Sequence, residues 1–317
     1  MKLATSTGDF RWYYETLAEH IKAFKDTKFK YINLELERAI IPELLDETDA
    51  ELERLSEKLS SAAEYAGITY VVAHAPCLHN PCLGVLENPD DETYHHDLRV
   101  FEASLKVCRN LKIPRIVIHA CSHSSFSEAD FYSYNKKFYS DILPTAEKFG
   151  VTVMTENWDN DETHFSTGKQ LRDFIDFIGH PLLGACWDTA HGNIAKTSKK
   201  LGQYKNIIDI GDKLKGLHIS DNFGDCHHHT FPFAGIINFD SIMQGLCDVN
   251  YDGFFTFEAS YTLLHQNNMP YRRSEWVHNG NTVTRLLNPS PELKKSAVNL
   301  LFETGKYILE TYNVFDE

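Results

Sequence analysis

The sequence of 317 residues has no hydrophobic run long enough to cross a bilayer. Because a plausible strand, MKLATS, starts at residue 1, no secretory signal is expected. Positive charge is scarce, because 31 Lys and Arg residues stand against 45 Asp and Glu residues and the formal net charge is −14. Such an acidic chain has no general attraction for polyanions, so a nucleic-acid-binding module is disfavoured. The sequence therefore predicts a cytoplasmic protein without a membrane segment.

Several local signatures are missing as well. The seven cysteines show no C-x-x-C spacing, so no disulfide framework is predicted, and Cys77 and Cys82 are expected as free thiols. No glycine-rich phosphate loop follows the first predicted strand, which disfavours a doubly wound open sheet. The absence of a G-x-S-x-G elbow disfavours a serine hydrolase. No linker or low-complexity tract interrupts the chain, so one domain over residues 1–317 is expected.

Short β-branched runs alternate with longer helical segments along the whole sequence. The predicted strands are Lys2–Ser6, Tyr31–Glu35, Thr69–His74, Arg115–His119, Val151–Glu156, Leu182–Asp188, Lys215–His218 and Phe254–Glu258. The predicted helices cover residues 11–25, 48–66, 91–111, 127–148, 167–178, 199–211 and 238–248. Eight strand–helix units without a break predict an α/β fold, a parallel sheet closed into a single-domain (β/α)8 TIM barrel.

Local signals help to place the ends of these elements. Thr48 and Glu51 have the spacing of a capping box at the start of a helix. Pro291 predicts the first turn of a last helix within the C-terminal segment 289–317. An irregular insert at residues 260–288 follows strand eight, where barrels place loops that cover the substrate.

Ionisable residues end six consecutive predicted strands. These strand-terminal residues are His74, His119, Glu156, Asp188, His218 and Glu258. Because side chains alternate in direction along a strand, the residues two positions earlier share the same face. Those are Val72, Val117, Met154, Cys186, Gly216 and Thr256, which are apolar or small apart from the threonine hydroxyl. The pattern predicts a filled barrel interior capped by polar side chains at the C-terminal rim, where barrel enzymes carry their chemistry.

A divalent cation would explain so many ionisable groups in one place. A single strand-terminal Asp often caps the next helix, and Asp188 in CWDTAHG allows that interpretation. Six in succession are hard to explain in that way, because burying several carboxylates together is costly without a compensating positive charge. The sequence therefore predicts a metal-centred site, with Mn²⁺ or Zn²⁺ as the preferred ion and Co²⁺ or Mg²⁺ as alternatives.

A histidine-rich loop follows strand seven. The segment LKGLHISDNFGDCHHHTFPFAG holds Asp225, His227, His228 and His229 after His218. Adjacent histidines can be solvated surface residues, so the loop alone leaves two interpretations open. Its position after a strand that ends in a candidate ligand favours additional metal or substrate contacts.

Four motifs carry a resemblance to a known superfamily. TENW, CWDTAHGNIA, LHISDN and FFTFEAS are similar to segments of the xylose isomerase-like TIM barrels, and the match extends over about residues 1–260. That grouping includes sugar epimerases and isomerases, inosose dehydratase-like proteins and endonuclease IV. In the epimerase branch four residues hold one divalent cation, and the resemblance assigns this role to Glu156, Asp188, His218 and Glu258. It also implies that both glutamates act as acid and base and that His191 contacts the substrate.

The endonuclease IV branch of the superfamily holds three zinc ions. There the resemblance implies added ligands at His74 and His119, and an Asp-x-His pair after strand seven. Counting back from the end of that loop places His227 and His229 at the pair, whereas counting from its start gives Asp225 and His227. The sequence departs from that branch at this pair, so the number of metal ions, one or three, stays open.

Three classes of function fit these residues. The preferred hypothesis is a divalent-metal-dependent sugar or polyol isomerase/epimerase that transfers protons through a metal-stabilised enediolate. The alternative is an endonuclease IV-like zinc phosphodiesterase, an apurinic-site endonuclease, which is disfavoured by the acidic charge and by Cys77 where that branch has a tyrosine. A non-catalytic sugar- or metal-binding barrel would not need both Glu156 and Glu258. The expected partner is a small sugar or polyol, and the oligomeric state, monomer or homodimer, is left open.

Overall fold

A computed structural model describes residues 1–37, 48–78, 92–123, 125–263 and 289–316, and the backbone of residues 277–278 and 281–282. The main sheet consists of β1 (Lys2–Ser6), β2 (Tyr31–Glu35), β3 (Thr69–His74), β4 (Arg115–Val117), β5 (Thr152–Glu156), β6 (Leu183–Asp188), β7 (Leu214–His218) and β8 (Phe254–Thr256). Two short strands, β9 (Val277–His278) and β10 (Asn281–Thr282), pair antiparallel. The helices are α1 (Leu17–Lys22), α2 (Asp49–Ala66), α3 (Glu92–Leu111), α4 (Glu128–Phe149), α5 (Gly168–Ile178), α6 (Thr189–Ile194), α7 (Lys196–Leu201), α8 (Gln203–Ile210), α9 (Phe239–Asp248) and α10 (Pro291–Thr311).

The eight strands of the main sheet are parallel and lie in the order β7-β6-β5-β4-β3-β2-β1-β8. A parallel bridge between Ile219 and Phe257 joins the two ends of this row. There the Ile219 amide donates to the Thr256 carbonyl at 2.8 Å, and the Glu258 amide donates to the Ile219 carbonyl at 2.9 Å. The predicted (β/α)8 barrel is therefore confirmed, and its ring closes at the residue that follows His218.

The carboxyl-terminal ends of the strands agree with the prediction except at β4 and β8, and the starts of β5, β6 and β7 each differ by one residue. β4 ends at Val117 and β8 ends at Thr256. His119 and Glu258, which the sequence predicts as the last residues of these strands, therefore lie two residues beyond them. The backbone still follows its neighbours at these positions, because the amide after Val117 donates to a β5 carbonyl at 2.9 Å. Both side chains therefore remain at the C-terminal rim.

The long helices begin where their capping residues predict. At the start of α2, Thr48 Oγ1 accepts a hydrogen bond from the Glu51 amide at 3.4 Å, and the Glu51 carboxylate accepts one from the Thr48 amide at 2.9 Å. Ser290 caps α10 by accepting from the Leu293 amide at 3.2 Å, and Pro291 occupies the first helical position. These contacts satisfy backbone donors that a helix start otherwise leaves unpaired.

Two of the predicted helices are wrong in extent. Within the segment 11–25, only α1 is an α-helix, and it begins after its cap at Thr16. A 3-10 turn at Thr7–Phe10 precedes the segment. The segment 199–211 is divided between α7 and α8, since Gly202 between them adopts a φ of +83°. A left-handed φ ends a helix whatever the periodicity of its side chains.

The strands separate two apolar layers. The barrel interior is filled by a small cluster of buried residues, Ala4, Val71, Val72, Val117, Met154 and Cys186. A Cβ on Gly216 would lie 2.7 Å from the Met154 sulfur, so a larger residue at this position would require Met154 to shift. A larger cluster lies between the strands and the helices. Trp187 belongs to it, and its indole N–H donates to Gln203 Oε1 at 2.8 Å, as the alternation along β6 predicts.

Some sequence predictions fall on residues that the structure does not describe. Of the insert at 260–288, only residues 260–263 and the backbone of β9 and β10 are described. Cys77 is a free thiol as expected, and Cys82 lies outside the described residues. Cys121 takes part in a disulfide bond, of which the cysteine spacing gave no sign. Within the described part of the chain, no helix combines the length and the apolar character needed to cross a membrane.

Candidate metal centre

Four of the strand-terminal side chains converge at one end of the barrel. Glu156, Asp188 and His218 end β5, β6 and β7, and Glu258 follows β8. Each offers one donor atom, and these four atoms all lie within 4.8 Å of one another. Parallel strands bring them together, because the carboxyl ends of neighbouring strands meet at the same rim. Asp188 and His218, for example, are direct partners in the register of β6 and β7.

Several donor atoms of this group are buried and form no hydrogen bond with the described residues. They are Glu156 Oε2, Asp188 Oδ2 and both ring nitrogens of His218. Glu156 Oε2 and Glu258 Oε2 lie 2.9 and 3.5 Å from His218 Nδ1, but neither contact is aligned as a hydrogen bond. Three carboxyl groups and an imidazole withdrawn from water are costly unless a cation binds among them. The oxygen and nitrogen donors fit a divalent ion such as Mn²⁺ or Zn²⁺.

Asp188 caps a helix through one carboxylate oxygen and has the other oxygen at the rim. Its Oδ1 accepts from the His191 amide at 2.6 Å and so caps α6, which leaves Oδ2 for a ligand. Asn157 holds the backbone of Asp188 in place, since its side chain accepts from the Asp188 amide at 2.8 Å and donates to the Asp188 carbonyl at 3.1 Å. Sequence reasoning missed Asn157, although it stands directly after Glu156 in TENW.

His74 and His119 lie beside Glu156 on the next strands around the barrel. Their Nε2 atoms are 3.2 Å apart, and each is 3.7 Å from Glu156 Oε2. His74 Nδ1 donates to the Ala75 carbonyl at 2.7 Å. Burial acts to lower the pKa of His74, but the adjacent Glu156 carboxylate outweighs it and raises this pKa. The Trp158 ring packs against His119 with ring centroids 4.7 Å apart. These imidazoles form a second polar group adjoining the first through Glu156.

His227 and His229 turn from the loop after β7 toward the same rim. His227 Nε2 lies 2.6 Å from Asp159 Oδ2, and its ring centroid is 4.6 Å from that of His191. His229 Nδ1 donates to the Glu258 carbonyl at 3.0 Å. Of the two registers that the sequence leaves open for this loop, the structure therefore brings the His227 and His229 pair to the rim.

The two remaining candidates differ in position. His191 Nδ1 donates to the Asn157 carbonyl at 2.6 Å and lies 3.4 Å from Glu156 Oε1, so it belongs to the rim. The side chain of Asp225 is 66% exposed and contacts His228 Nδ1 at 3.5 Å. Asp225 therefore belongs to a different group of side chains.

The two glutamates have opposite electrostatic surroundings. Burial raises the pKa of Glu258 to about 8, with help from the Glu156 and Asp188 carboxylates and against the effect of His218. Burial also acts to raise the pKa of Glu156, but His218 and the other neighbouring imidazoles hold it well below its usual range. Burial lowers the pKa of His119 to about 3, so this ring is neutral and able to accept a ligand bond. Carboxyl groups whose pKa values are driven apart are the usual basis of acid and base roles.

Glu35 is a further ionisable group at the rim that the strand-end argument omitted. It ends β2, pairs in register with His74, and accepts a hydrogen bond from Ser6 Oγ. Burial raises the pKa of Glu35, against the effects of Ser6 and His74. The available signal was its position at the end of a predicted strand, as for the six other residues.

The model of the xylose isomerase-like TIM barrel family matches residues 21–277. The chain belongs to this family. Ketose 3-epimerase from Arthrobacter globiformis is 28% identical over 37% of this chain and 38% of its own length. A probable endonuclease 4 from Nitrosopumilus maritimus is 26% identical over 51% of this chain and 62% of its own length. The chain thus spans less than two thirds of the length of these curated relatives.

Solved structures of the family resemble nearly the whole chain. D-allulose 3-epimerase from Methylomonas sp., in complex with D-allulose, has a TM-score of 0.71 at 16% identity, covering 97% of this chain and 96% of that one. The IOLI protein with a zinc atom has a TM-score of 0.68 at 15% identity, covering 98% of this chain and 99% of that one. At such identities the likeness establishes the fold, because one fold serves many chemistries.

Proposed function

We propose that this protein is a divalent-metal-dependent isomerase or epimerase of a small sugar or polyol. The observation that carries the proposal is the placement of Glu156 and Glu258 about His218 at the buried rim of the barrel. The similarity to a ketose 3-epimerase and to D-allulose 3-epimerase supports this class of reaction. The proposal includes a cytoplasmic location and a monomer or homodimer as the working assembly.

The two glutamates supply the proton transfers in this mechanism. One removes the proton from the carbon next to the substrate carbonyl, and the other delivers a proton to the resulting enediolate. Glu156 ends β5 and Glu258 follows β8, with β6 and β7 between those strands, which supports an approach to the substrate from two sides. A change of configuration at carbon requires this arrangement, because the proton must leave one face and return to the other.

Glu156, Asp188, His218 and Glu258 would hold one divalent cation, with Mn²⁺ or Zn²⁺ preferred. When bound, such an ion supplies Lewis-acid polarisation of substrate oxygens. Each glutamate keeps an oxygen for proton transfer when it ligates through the other oxygen alone. The zinc atom in the IOLI structure supports metal dependence within this fold.

The surrounding imidazoles suit the hydroxyl groups of a sugar. His191 and His227 lie side by side at the rim, and His74 and His119 stand on the other side of Glu156. Imidazole nitrogens form hydrogen bonds with hydroxyl groups, so these rings can bind a polyhydroxylated substrate. Trp158, packed on His119, offers an apolar surface to the carbon skeleton.

Exchange with deuterated water tests the proposed proton transfer. Candidate ketoses incubated with metal-loaded protein are expected to gain deuterium at the carbon beside the carbonyl as they epimerise, measured by NMR. Glu156→Gln should lose both conversion and labelling, while Glu310→Gln, on an exposed carboxylate of α10, should retain both. Product that forms without label would contradict the mechanism and indicate hydride shift, dehydration or hydrolysis.

A second candidate function is a zinc phosphodiesterase that cleaves at apurinic sites. The approach of His74 and His119 to Glu156 favours it, because these residues provide ligands for more than one ion. The endonuclease 4 relative supports it, and the net charge of −14 opposes it. About three zinc ions per chain, together with nicking of abasic duplex, would favour the nuclease. A single divalent ion and labelled sugar would favour the epimerase.

A further inference from the structure

The loop after β7 presents two different faces. His227 and His229 turn toward the barrel rim, where they contact Asp159 and the Glu258 carbonyl. His228, which lies between them, turns instead toward Cys226. The three adjacent histidines therefore do not form one group.

Three potential metal ligands meet on the outer face of this loop. Cys226 Sγ lies 3.5 Å from His228 Nε2 and 3.8 Å from Nδ1, and Asp225 Oδ1 lies 3.5 Å from His228 Nδ1. One donor atom from each residue lies within 4.8 Å of the other two. Ligands around tetrahedral Zn²⁺, with bonds of about 2.3 Å to sulfur and 2.0 Å to nitrogen, stand roughly 3.5 Å apart. The spacing of the three side chains thus already approaches that of a coordinated set.

The loop holds this face in a defined shape. Asn222 Oδ1 accepts hydrogen bonds from the Gly224 amide at 2.9 Å and from Asn193 Nδ2 at 2.7 Å. The edge of the Phe223 ring packs against the His228 ring, with centroids 5.1 Å apart and planes at 89°. Phe223 is 54% exposed, and the His228 ring covers part of its apolar surface. A ligand set held before the ion arrives loses less entropy on binding.

We propose that Asp225, Cys226 and His228 form a second metal site, outside the barrel centre, which binds a thiophilic divalent ion such as Zn²⁺. Zinc takes thiolate, imidazole and carboxylate ligands, and a water molecule completes its set of four. Binding ionises the Cys226 thiol and releases its proton to solvent. The ion fixes the outer face of the loop and with it the positions of His227 and His229 on the inner face. This site is independent of which reaction the barrel centre performs.

Cobalt substitution tests the site, because a thiolate ligand gives Co²⁺ an intense charge-transfer absorption in the near ultraviolet that oxygen and nitrogen ligands lack. Metal-free protein, reduced with a phosphine and then desalted, is titrated with CoCl₂. Wild type is expected to develop the band and to bind one equivalent more than Cys226→Ser, which should lack the band. His228→Asn keeps the thiol and is also expected to lose the band, so the test does not depend on one variant.

Two other thiols provide matched controls. Cys186 lies in the barrel interior within reach of His218, and Cys247 is partly exposed on α9. Cys186→Ala and Cys247→Ser are both expected to retain the band and the full number of bound ions. Absence of the band from wild type, its survival in Cys226→Ser, or its loss in Cys186→Ala would each overturn the proposal.

Discussion

At the scale of the residue, the barrel gives two identical side chains different surroundings. Glu156 is 1% exposed and lies within 3.7 Å of ring nitrogens of His218, His74 and His119. The Glu258 side chain is 18% exposed and lies 3.5 Å from His218 Nδ1. Since burial and neighbouring charge determine a carboxyl pKa, these surroundings separate the two glutamates although their chemistry is the same.

Replacing either glutamate with glutamine keeps its size and removes its charge. We expect Glu156→Gln and Glu258→Gln each to lower kcat by about 10²–10⁴-fold, because a positioned general acid or base contributes that much. Steady-state kinetics on metal-saturated protein, with the bound metal measured in each variant, provides the check. Glu310→Gln is the control and should keep the wild-type rate. A variant that retains full activity would remove its residue from the proposed mechanism.

At the scale of the element, α10 anchors the segment that follows β8. Lys294 in the first turn of α10 donates to the Thr262 carbonyl at 2.8 Å and to the Ser260 carbonyl at 3.1 Å. Its Nζ also lies 3.7 Å from Asp9 Oδ1, and neither side chain is more than 2% exposed. Because the anchored carbonyls begin two residues after Glu258, the packing of the last helix and the geometry of the rim depend on each other.

Removing the buried cation of this pair should be strongly destabilising. Lys294→Met leaves the Asp9 carboxylate buried without its partner, and we expect the free energy of unfolding to fall by about 3–5 kcal/mol. Urea denaturation measures the change. Adding Asp9→Asn should recover part of the loss, because the uncompensated charge is then gone. Lys295→Met, one residue further on and partly exposed, should change stability little, and an equal loss there would contradict the argument.

α10 also approaches the barrel at a glycine. A Cβ on Gly305 would lie 2.6 Å from the Phe257 ring and 2.8 Å from the Leu3 side chain. Gly305→Val is therefore expected to lower the free energy of unfolding by about 1–3 kcal/mol through overpacking. Thr304→Val is the control, because it places the same residue at the neighbouring, partly exposed position. It should lower the free energy of unfolding by less. Comparable denaturation midpoints for the two variants would mean that the contact is not tight.

At the scale of the whole molecule, an acidic chain gathers negative charge at one end of its barrel. The net charge of −14 is spread over the surface, but Glu156, Asp188 and Glu258 meet around one buried imidazole. Repulsion among buried carboxylates opposes folding, so stability at neutral pH should depend on what neutralises them. This links metal binding to the stability of the whole fold.

Removing divalent metal is therefore expected to lower Tm. An ion present at 100 times its Kd stabilises the folded state by about 2.7 kcal/mol, provided that it does not bind the unfolded chain. Scanning calorimetry of chelator-treated protein, with and without added MnCl₂ or ZnCl₂, measures the shift. Asp188→Asn with His218→Asn should remove most of it. A Tm that is the same with and without metal would show that no ion binds at the rim.

The ends of the strands were within reach of the sequence. Alternation of side chains and the parallel order of the strands place His74, Glu156, Asp188 and His218 at one rim, and the structure has them there. The prediction of these rim positions was correct because the alternation of side chains is a local property that repeats along the chain. The sequence predicts a closed barrel but not which residues close it, since Ile219 and Phe257 become neighbours only in the folded barrel.

Sequence alone determined the fold class and the rim, because both follow from a repeating local pattern. Tertiary structure decided how the β7 loop turns. Asp221 accepts hydrogen bonds from the Gly235 and Ile237 amides, which folds the loop back over the rim and directs His227 inward while His228 faces Cys226. Contacts with Asp159 and with the Glu258 carbonyl, which are distant in sequence, thus hold His227 and His229 apart from His228. The spacing of the three histidines does not contain that information.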